Sequence, residues 1–376
     1  MKDNKYVKVR GKIKINLYVP GFPSRAFFNA CYKVLEFDNK MPCISALISI
    51  TSACRYKCPH CYQRFDKGKD TDIDTLVDVI NKLQDKGIAF FNIEGGEPFL
   101  VFDRLMKVCE AIDDRSEILI NSTGDGMTIE NITRLKEQEN IMGIMFSLHT
   151  PESETLNQFM DNEHAWKNMV NGINLCHKVG MPVTFNTCLL REDFYNGKFE
   201  QVVEISKELK GSIMQLIKPK PAGGWLTNRI EPFSEEDTRL LLKKVDRYNL
   251  DKKNRAYPFV SPMIREESEE FFGCTAGATD RFYINAKGDL QPCEFLNISF
   301  GNIVTDDFDR IYDHMREVFR TPSTCLLCEK FSGKIAELKK EHNLKTLPLT
   351  KEFSRKIYEN WKLNGPAQFY EKIEKL

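Results

Sequence analysis

The sequence predicts an α/β fold in which parallel strands alternate with helices. Two observations within residues 44–217 support this prediction. First, helical segments of roughly 10 to 15 residues, several of them ending in glycine, separate short apolar runs. Second, these runs have the length of buried strands, and they lie at 46–51, 89–94, 117–121, 143–148, 182–190 and 212–217. Such alternation implies right-handed crossovers between parallel strands, which form either a doubly wound sheet or an incomplete barrel.

The composition indicates a globular chain without membrane or secretion signals. The chain has 376 residues, in which 54 Lys and Arg balance 54 Asp and Glu. No run approaches the roughly 20 apolar residues of a membrane span, and the N-terminus lacks the apolar core of a signal peptide. We therefore expect a cytoplasmic protein with no membrane span and no nucleic-acid partner. Its 12 cysteines would stay reduced there, which favours metal or redox chemistry over disulfides.

The N-terminal segment predicts a basic ribbon. Residues 1–40 contain nine Lys and Arg against three Asp and Glu. Over residues 7–19 apolar and polar residues alternate, and Gly11 interrupts the alternation, as in a two-stranded ribbon. Its outer face would be basic, with Lys8, Arg10, Lys12 and Lys14. This face is either solvated or docks an anionic substrate or surface.

The C-terminal third follows a different pattern. After a helix predicted over 234–249, the sequence is expected to be irregular until apolar alternation on both sides of residues 286–289 predicts a β-hairpin. A helix over 307–319 and further helical stretches follow. This part of the chain is therefore expected to form a smaller unit of its own.

Three cysteines follow the first predicted strand directly. Cys54, Cys58 and Cys61 have the spacing Cys-x3-Cys-x2-Cys. Three thiolates in one short loop can bind three irons of a [4Fe–4S] cluster and leave the fourth iron open to a chelating cofactor. A structural zinc loop is the alternative, but zinc needs a fourth close ligand, and His60 lies inside the spacing with its ring expected to point away.

The second predicted strand ends in Gly95, Gly96, Glu97 and Pro98. Ligands of parallel α/β sheets collect at the carboxyl ends of the strands. The two glycines would let a ligand approach the backbone, and Glu97 with the free carbonyls could accept hydrogen bonds from an ammonium group. Pro98 would stiffen the turn.

Together these motifs resemble the signature of the radical S-adenosylmethionine (SAM) superfamily, over about residues 44–220. The resemblance implies a partial (βα)6 barrel in which SAM chelates the open iron through its amino and carboxylate groups. An electron from a flavodoxin or ferredoxin-type donor would cleave SAM, and a 5'-deoxyadenosyl radical would abstract a substrate hydrogen. The aromatic residues Phe22, Phe27, Phe28 and Tyr32 would plug the bottom of this barrel.

The resemblance also implies roles for individual residues. The cysteines of the triplet would bind the cluster, and His60 would lie beside the adenine. Gly95, Gly96, Glu97 and Pro98 would hold the SAM ammonium, Ser147 would contact the SAM carboxylate or ribose, and Asn186 would make a polar contact. Many relatives carry an arginine about a dozen residues after that serine. This sequence has no arginine at the corresponding residues, 158–161.

Four further cysteines, Cys274, Cys293, Cys325 and Cys328, resemble those of a twitch domain, a shortened SPASM domain. The resemblance implies one auxiliary [4Fe–4S] cluster with four cysteine ligands, which suits electron transfer better than substrate binding. A tetrahedral zinc site is the alternative. The chain would then comprise a ribbon or cap (1–43), a radical SAM barrel (44–233), a linker helix with a twitch or SPASM-like α+β domain (234–332) and C-terminal helices (333–376).

Glu294 is the catalytic candidate, because related dehydrogenases can carry a proton-accepting aspartate directly after the matching cysteine. Strand alternation would point Glu294 away from Cys293 and toward the barrel mouth. Asp280, Tyr283, His149 and Asp125 are weaker candidates for this role.

The predicted function is reductive SAM cleavage followed by oxidation or cross-linking of a peptide or small-molecule substrate, which would be anionic if the basic ribbon docks it. Electrons would pass through the auxiliary cluster. Two alternatives remain open: a redox-neutral radical reaction, such as epimerisation or chemistry on a lipid or tetrapyrrole, and a non-catalytic cysteine-rich module that binds zinc or iron–sulfur.

Overall fold

The computed structural model describes residues 5–35, 43–228, 230–277, 281–319, 323–359, 365 and 367–373. Its strands are β1 (Val7–Val9), β2 (Lys12–Lys14), β3 (Ser45–Ser49), β4 (Phe90–Glu94), β5 (Glu117–Ser122), β6 (Ile141–Ser147), β7 (Val183–Cys188), β8 (Ile213–Ile217), β9 (Phe259–Pro262), β10 (Arg281–Ile284), β11 (Asp289–Gln291) and β12 (Gly301–Asn302). Its helices are α1 (Arg25–Leu35), α2 (Ile73–Asp85), α3 (Phe102–Ala111), α4 (Ile129–Glu137), α5 (Ser153–Phe159), α6 (Ala165–Val179), α7 (Lys198–Glu208), α8 (Glu235–Leu250), α9 (Met263–Glu266), α10 (Phe308–Val318), α11 (Leu327–Glu341), α12 (Lys351–Tyr358) and α13 (Gln368–Ile373).

Ten strands form one sheet in the order β12-β11-β10-β3-β4-β5-β6-β7-β8-β9. Neighbouring strands from β10 through β9 are parallel. Strands β3 to β9 follow one another in chain order, without the reversal that defines a doubly wound sheet. The prediction of a partial (βα)6 barrel is therefore confirmed, and the doubly wound alternative is wrong.

The helices bury their apolar faces against this sheet. In α2, Asp72 caps the first turn by accepting hydrogen bonds from the backbone N–H groups of Asp74 and Thr75. The buried side chains of α2 recur three and four residues apart, which places them on one face of the helix. Helix α6 ends at Gly180, whose φ of 70° favours glycine. Among the described residues, no helix is long and apolar enough to cross a bilayer.

Two strands depart from the prediction. Strand β9 lies in the segment expected to be irregular, pairs in parallel with β8 and is buried at all four residues. Pro258 precedes this short run and Pro262 ends it, so the run carries little strand signal in the sequence. Strands β10 and β11 form the predicted hairpin, but β10 also pairs in parallel with β3. The C-terminal hairpin therefore extends the barrel sheet.

The N-terminal ribbon is present as predicted, with antiparallel β1 and β2. Its basic face is only partly solvent-exposed, which corrects the expectation. Lys14 is buried and ion-paired with Glu117. The guanidinium of Arg10 donates hydrogen bonds to the backbone carbonyls of Lys136, Gln138 and Ile141. These two cations serve internal contacts, so they are not free to dock an anionic surface.

The ribbon also closes the bottom of the barrel. Val9 and Leu17 form a buried cluster with residues that lie at or near the amino-terminal ends of strands, Phe90, Met142, Ile213 and Phe259, and with Leu119 and Met145 farther along β5 and β6. The expectation that the aromatic run fills this space is wrong, because Phe22, Phe28 and Tyr32 are 44%, 46% and 61% exposed.

Replacing Lys14 with methionine is expected to destabilise the fold by about 3–5 kcal/mol, because it leaves the buried Glu117 carboxylate without its cation. The free energy of unfolding in denaturant measures this effect. Lys8→Met, at an exposed position of the same ribbon, is the control and should change stability by less than about 0.5 kcal/mol. Equal stabilities of the two variants would contradict the structural role of the pair.

Candidate functional site

A cavity of about 470 Å³ opens at the carboxyl ends of the barrel strands. It brings together most of the residues that the sequence predicts for the site: Cys54, Cys58, His60, Cys61, Gly95, Gly96, Ser147, Asn186 and Glu294. Glu97 and Pro98 lie outside its lining, and so do the four C-terminal cysteines. The cavity also contains strand residues that the sequence analysis did not predict: Asn92, Glu94, Asn121 and Gln215.

The three thiols of the first cysteine group share this cavity. The loop turns between Cys58 and Cys61, where the Cys61 N–H donates to the Cys58 carbonyl at 3.2 Å. The Tyr56 N–H lies 3.4 Å from the Cys54 sulfur and donates to it. Burial raises the pKa of Cys54 to about 11, and the charges of Glu97 and Cys61 contribute to this shift. Neighbouring thiols with N–H donors fit an iron–sulfur cluster, whose uptake would displace the thiol protons.

The glycine turn after β4 packs directly on the cysteine loop. The N–H groups of Gly96 and Glu97 donate to the carbonyls of Thr51 and Ala53, both at 2.7 Å. A Cβ atom on Gly96 would lie 2.2 Å from the Ala53 oxygen, which excludes any side chain. The two motifs therefore form one structural unit, although 33 residues lie between Cys61 and Gly95 in the sequence.

The Glu97 carboxylate is fully engaged within the protein. It accepts hydrogen bonds from the Ser122 hydroxyl at 2.8 Å, from the Thr123 N–H at 2.7 Å and hydroxyl at 2.6 Å, and from the Phe99 N–H at 3.1 Å. Glu97 has no exposed surface. The side chain therefore ties the end of β5 to the glycine turn, and its contribution to a ligand site is to position the backbone of that turn.

His60 lies in an aromatic group at one side of the cavity. Its ring stacks on Phe159 with 4.6 Å between centroids, meets His149 edge-on and lies tilted by 55° against Trp225. Among the described residues its buried Nδ1 atom has no hydrogen-bond partner, and burial lowers the pKa of His60 to about 4. A neutral imidazole among aromatic rings fits a planar heterocycle such as adenine. Residues 158–161, which lack the arginine of many relatives, contribute Phe159 to this group.

A second pair of glycines, Gly223 and Gly224, also packs on the cysteine loop. This contact was not predicted from the sequence. The Gly224 N–H donates to the Cys61 carbonyl at 2.9 Å. A Cβ atom on Gly224 would lie 2.1 Å from the Pro59 oxygen. The signal in the sequence is Gly223–Gly224 shortly after β8, which repeats the Gly-Gly pattern that follows β4.

The second cysteine group is assembled from three chain segments. Cys274 forms a β-bridge with Ser323, whose hydroxyl lies 3.1 Å from the Cys325 sulfur. Burial raises the pKa of Cys328 to about 12; the charge of Lys220 acts against this shift, and the charge of Cys274 contributes to it. Burial also raises the pKa of Cys293, and charges on Glu294 and Cys328 act in the same direction. Four thiols on neighbouring segments fit the donor set of an iron–sulfur cluster. Within the described ranges, no three His, Cys, Asp or Glu side chains approach closely enough for a single metal ion.

Glu294 lines the cavity, but not for the predicted reason. Residues 293–296 form a turn closed by a bridge between Cys293 and Leu296, so strand alternation does not apply there. The Cys293 sulfur lies 3.0 Å from a Glu294 oxygen, which shows that the two side chains are not on opposite faces. The other carboxylate oxygen lies 3.8 Å from the Arg281 guanidinium. Glu294 thus connects the second cysteine group to the cavity.

The weaker candidates differ in position. His149 lines the cavity and accepts a hydrogen bond from the Cys188 N–H at 3.1 Å. Asp125 pairs with Arg55 at 3.1 Å. Tyr283 is buried in β10, and Asp280 lies outside the described residues.

Two family models match the chain. The model of the radical SAM superfamily matches residues 48–210, and the model of the SPASM iron–sulfur cluster-binding domain matches residues 274–330. The first match covers the cysteine loop and the strands from β4 to β7. The second begins at Cys274 and ends just after Cys328.

Relatives and solved structures agree with these matches. AdoMet-dependent heme synthases from Nitratidesulfovibrio vulgaris and Methanosarcina barkeri are each 21% identical, over 79% and 72% of this chain and 85% and 82% of their own lengths. Streptococcus suis SuiB bound to its precursor peptide SuiA has a similar fold, with a TM-score of 0.60 and 16% identity over 79% of this chain and 72% of SuiB. The peptide-bound anSMEcpe structure gives a TM-score of 0.57 and 18% identity over 89% and 96% of the two chains.

Proposed function

Because this chain is built from a radical SAM domain followed by a SPASM iron–sulfur cluster-binding domain, we propose that it cleaves SAM reductively and abstracts a hydrogen atom from a substrate in the barrel cavity. The proposed net reaction is the oxidation or cross-linking of a peptide or small molecule, with a flavodoxin or ferredoxin-type electron donor. One observation carries the proposal. The cysteine loop and Glu294, which directly follows a cysteine of the second group, line the same cavity.

The proposed roles follow from the positions of the side chains. Cys54, Cys58 and Cys61 would hold one [4Fe–4S] cluster, and Cys274, Cys293, Cys325 and Cys328 a second. When bound, SAM and the clusters supply the one-electron chemistry that removes a hydrogen atom and takes up the electron released on oxidation.

The remaining residues would bind and orient SAM. His60 would stack beside the adenine, and Ser147 and Asn186 would contact polar groups of SAM. The backbone of Gly95 and Gly96 would face the SAM ammonium, while Glu97 and Pro98 keep that turn in place.

Glu294 is the proposed proton acceptor in the oxidation step. It is buried in the cavity wall, and one of its carboxyl oxygens lies 3.8 Å from the Arg281 guanidinium. Glu294→Gln keeps the size and removes the base. We expect product formation to fall by about 100-fold, while deuterium still passes from labelled substrate into 5'-deoxyadenosine. Product formation at the unchanged rate would contradict this role and would also weaken the choice of oxidation over a redox-neutral reaction.

The first test of the proposed function needs no substrate. The protein is reconstituted anaerobically with iron and sulfide, and SAM and dithionite are added. We expect about eight iron atoms per chain and the formation of 5'-deoxyadenosine. A sample that holds both clusters but never cleaves SAM would favour a non-catalytic iron–sulfur module, and a colourless zinc protein would overturn the proposal. An untargeted comparison of metabolites and peptides from cells with and without the active chain would then identify the substrate.

A further inference from the structure

The inner part of the cavity carries polar side chains that the proposed SAM contacts do not use. Asn92 and Glu94 are two residues apart in β4 and face the same side of the sheet. Asn121 in β5 and Gln215 in β8 line the same space, and Tyr18 lines it from the segment after the ribbon. Asn92, Glu94 and Gln215 are 1%, 4% and 1% exposed, so their hydrogen-bonding needs must be met inside the protein or by a ligand.

The Glu94 carboxylate sets the orientation of the neighbouring amides. It accepts hydrogen bonds from the Tyr62 hydroxyl, from the Asn121 Nδ2 at 3.0 Å and from the Asn92 Nδ2 at 3.5 Å. When the Glu94 carboxyl group is ionised, its oxygens only accept, so both amides turn their NH2 groups toward it. Their oxygens then point elsewhere, and within the described part of the chain both Oδ1 atoms are buried without a hydrogen-bond partner.

Gln215 repeats this arrangement on the opposite wall. Its Nε2 donates to the Tyr18 hydroxyl at 2.6 Å and lies 3.0 Å from the Met263 sulfur. Among the described residues, its buried Oε1 has no hydrogen-bond partner. Three amide oxygens from three strands thus lack donors in the inner part of the cavity, in addition to the Oδ1 of Asn186, which the proposed SAM contacts already use. A buried acceptor without a donor costs about 1–3 kcal/mol, so a ligand that supplies N–H groups would remove a substantial penalty.

One of the buried carboxyl groups around this space forms no ion pair within the described residues, although the cavity lining also includes Lys57, Arg64, Lys67 and Lys218. Lys220 pairs with Glu267 at 2.6 Å, and Arg281 lies 3.8 Å from both Glu267 and Glu294. Two cations therefore serve two carboxylates. In the described parts of the chain, no Lys, Arg or His nitrogen forms an ion pair with the third carboxylate, Glu94. Burial raises the pKa of Glu94 to about 8; the charge of Glu294 acts in the same direction, and the hydrogen bond from Tyr62 and the charge of Arg281 act against it.

We propose that the substrate presents a protonated amine to this inner site, where Glu94 is its counter-ion and the amide oxygens of Asn92, Asn121 and Gln215 accept its N–H groups. An ammonium group supplies three donors and one positive charge, which matches the three unpartnered oxygens and the unpaired carboxylate. This inference rests on the proposed function, because it places the substrate in the barrel cavity. The substrate group at this inner site would therefore be cationic, in contrast to the anionic substrate expected if the basic ribbon docked it.

The test uses three probes of equal length, butylamine, butanol and butyrate, with the reconstituted holoenzyme and SAM. The buffer is phosphate, since Tris is itself an amine. Binding is measured as the rise in Tm with probe concentration. We expect butylamine to raise the Tm at concentrations at least about 10-fold lower than butanol, and butyrate to have no effect. Equal responses to amine and alcohol, or a preference for butyrate, would overturn the proposal without any variant.

Variants then assign the response to the site. Glu94→Gln is expected to weaken the butylamine response by about 10-fold or more, because it removes the charge and keeps the shape. Gln215→Met removes one acceptor and should weaken the response less. Glu163→Gln, at an exposed glutamate outside the cavity, is the matched control and should respond like the unmodified chain. An unchanged amine response in Glu94→Gln would contradict the assignment.

The two proposals fail in different ways. A preparation that cleaves SAM to 5'-deoxyadenosine but ignores butylamine would overturn the amine site alone. A preparation that binds butylamine through Glu94 but cleaves no SAM would keep the cation site and overturn the proposed function. If Glu94→Gln also prevented SAM binding in the absence of the three probes, Glu94 would belong to the SAM site, and the amine proposal would be wrong.

Discussion

Replacing Cys58 with alanine is expected to abolish reductive SAM cleavage while the iron of the second cysteine group is retained. Cys58 contributes one of three thiols to the loop, and its loss leaves only two ligands for the first cluster. The iron content should therefore fall from about eight atoms to about four per chain. Iron analysis and the yield of 5'-deoxyadenosine, with dithionite as the reductant, measure the two effects.

Cys188→Ala is the matched control, because Cys188 lines the same cavity but belongs to neither cysteine group. It should keep both the iron content and SAM cleavage. Loss of all iron in a folded Cys58→Ala protein would show that the two groups do not bind iron independently. SAM cleavage at the control rate would remove Cys58 from the site.

Replacing Cys293 with alanine is expected to have the complementary effect. The iron content should again fall to about four atoms per chain, but reductive SAM cleavage should persist when dithionite is supplied. Product formation should be lost, because Cys293 lies in the second group and directly precedes the proposed base, Glu294. The ratio of product to 5'-deoxyadenosine, measured by mass spectrometry, separates the two steps.

Cys109→Ala controls for the loss of a buried thiol, since Cys109 is a fully buried core residue outside both cysteine groups. It should preserve the ratio of product to 5'-deoxyadenosine, whatever its small cost in stability. If Cys293→Ala kept a normal ratio after losing its iron, the second group would be a structural support with no part in the reaction.

The strands of the barrel could be predicted because apolar runs of strand length are a local property of the sequence. All six runs from 46–51 to 212–217 are strands, with ends that differ by a few residues. Long-range pairing has no such local signal. Nothing in residues 281–284 indicates that β10 pairs with β3, and the alternation around Lys14 reads as solvent-exposed although Glu117 provides it with a buried partner.

The candidate site likewise combines residues that have a local signal in the sequence with residues that have none. The first cysteine group and the glycine turn have fixed spacings, and each follows a strand, so their meeting in one cavity could be expected. Glu294 reaches the cavity through a turn that strand periodicity does not describe. Asn92, Glu94 and Gln215 were missed because they interrupt apolar strands singly. Polar residues inside runs that otherwise read as fully buried would have been the signal.

The parallel pairing of β10 with β3 has a consequence for how the protein can be divided. Without β10, the backbone of Ala46–Ile48 in the centre of this apolar strand would lose the neighbouring strand with which it pairs on that side of the sheet. Such an open edge invites strand addition by another copy of the chain. The C-terminal hairpin therefore covers the open edge of the barrel sheet, and it also leads directly into the turn that contains Cys293. A barrel expressed alone would be prone to aggregation, so the two regions of the chain have to be made and studied together.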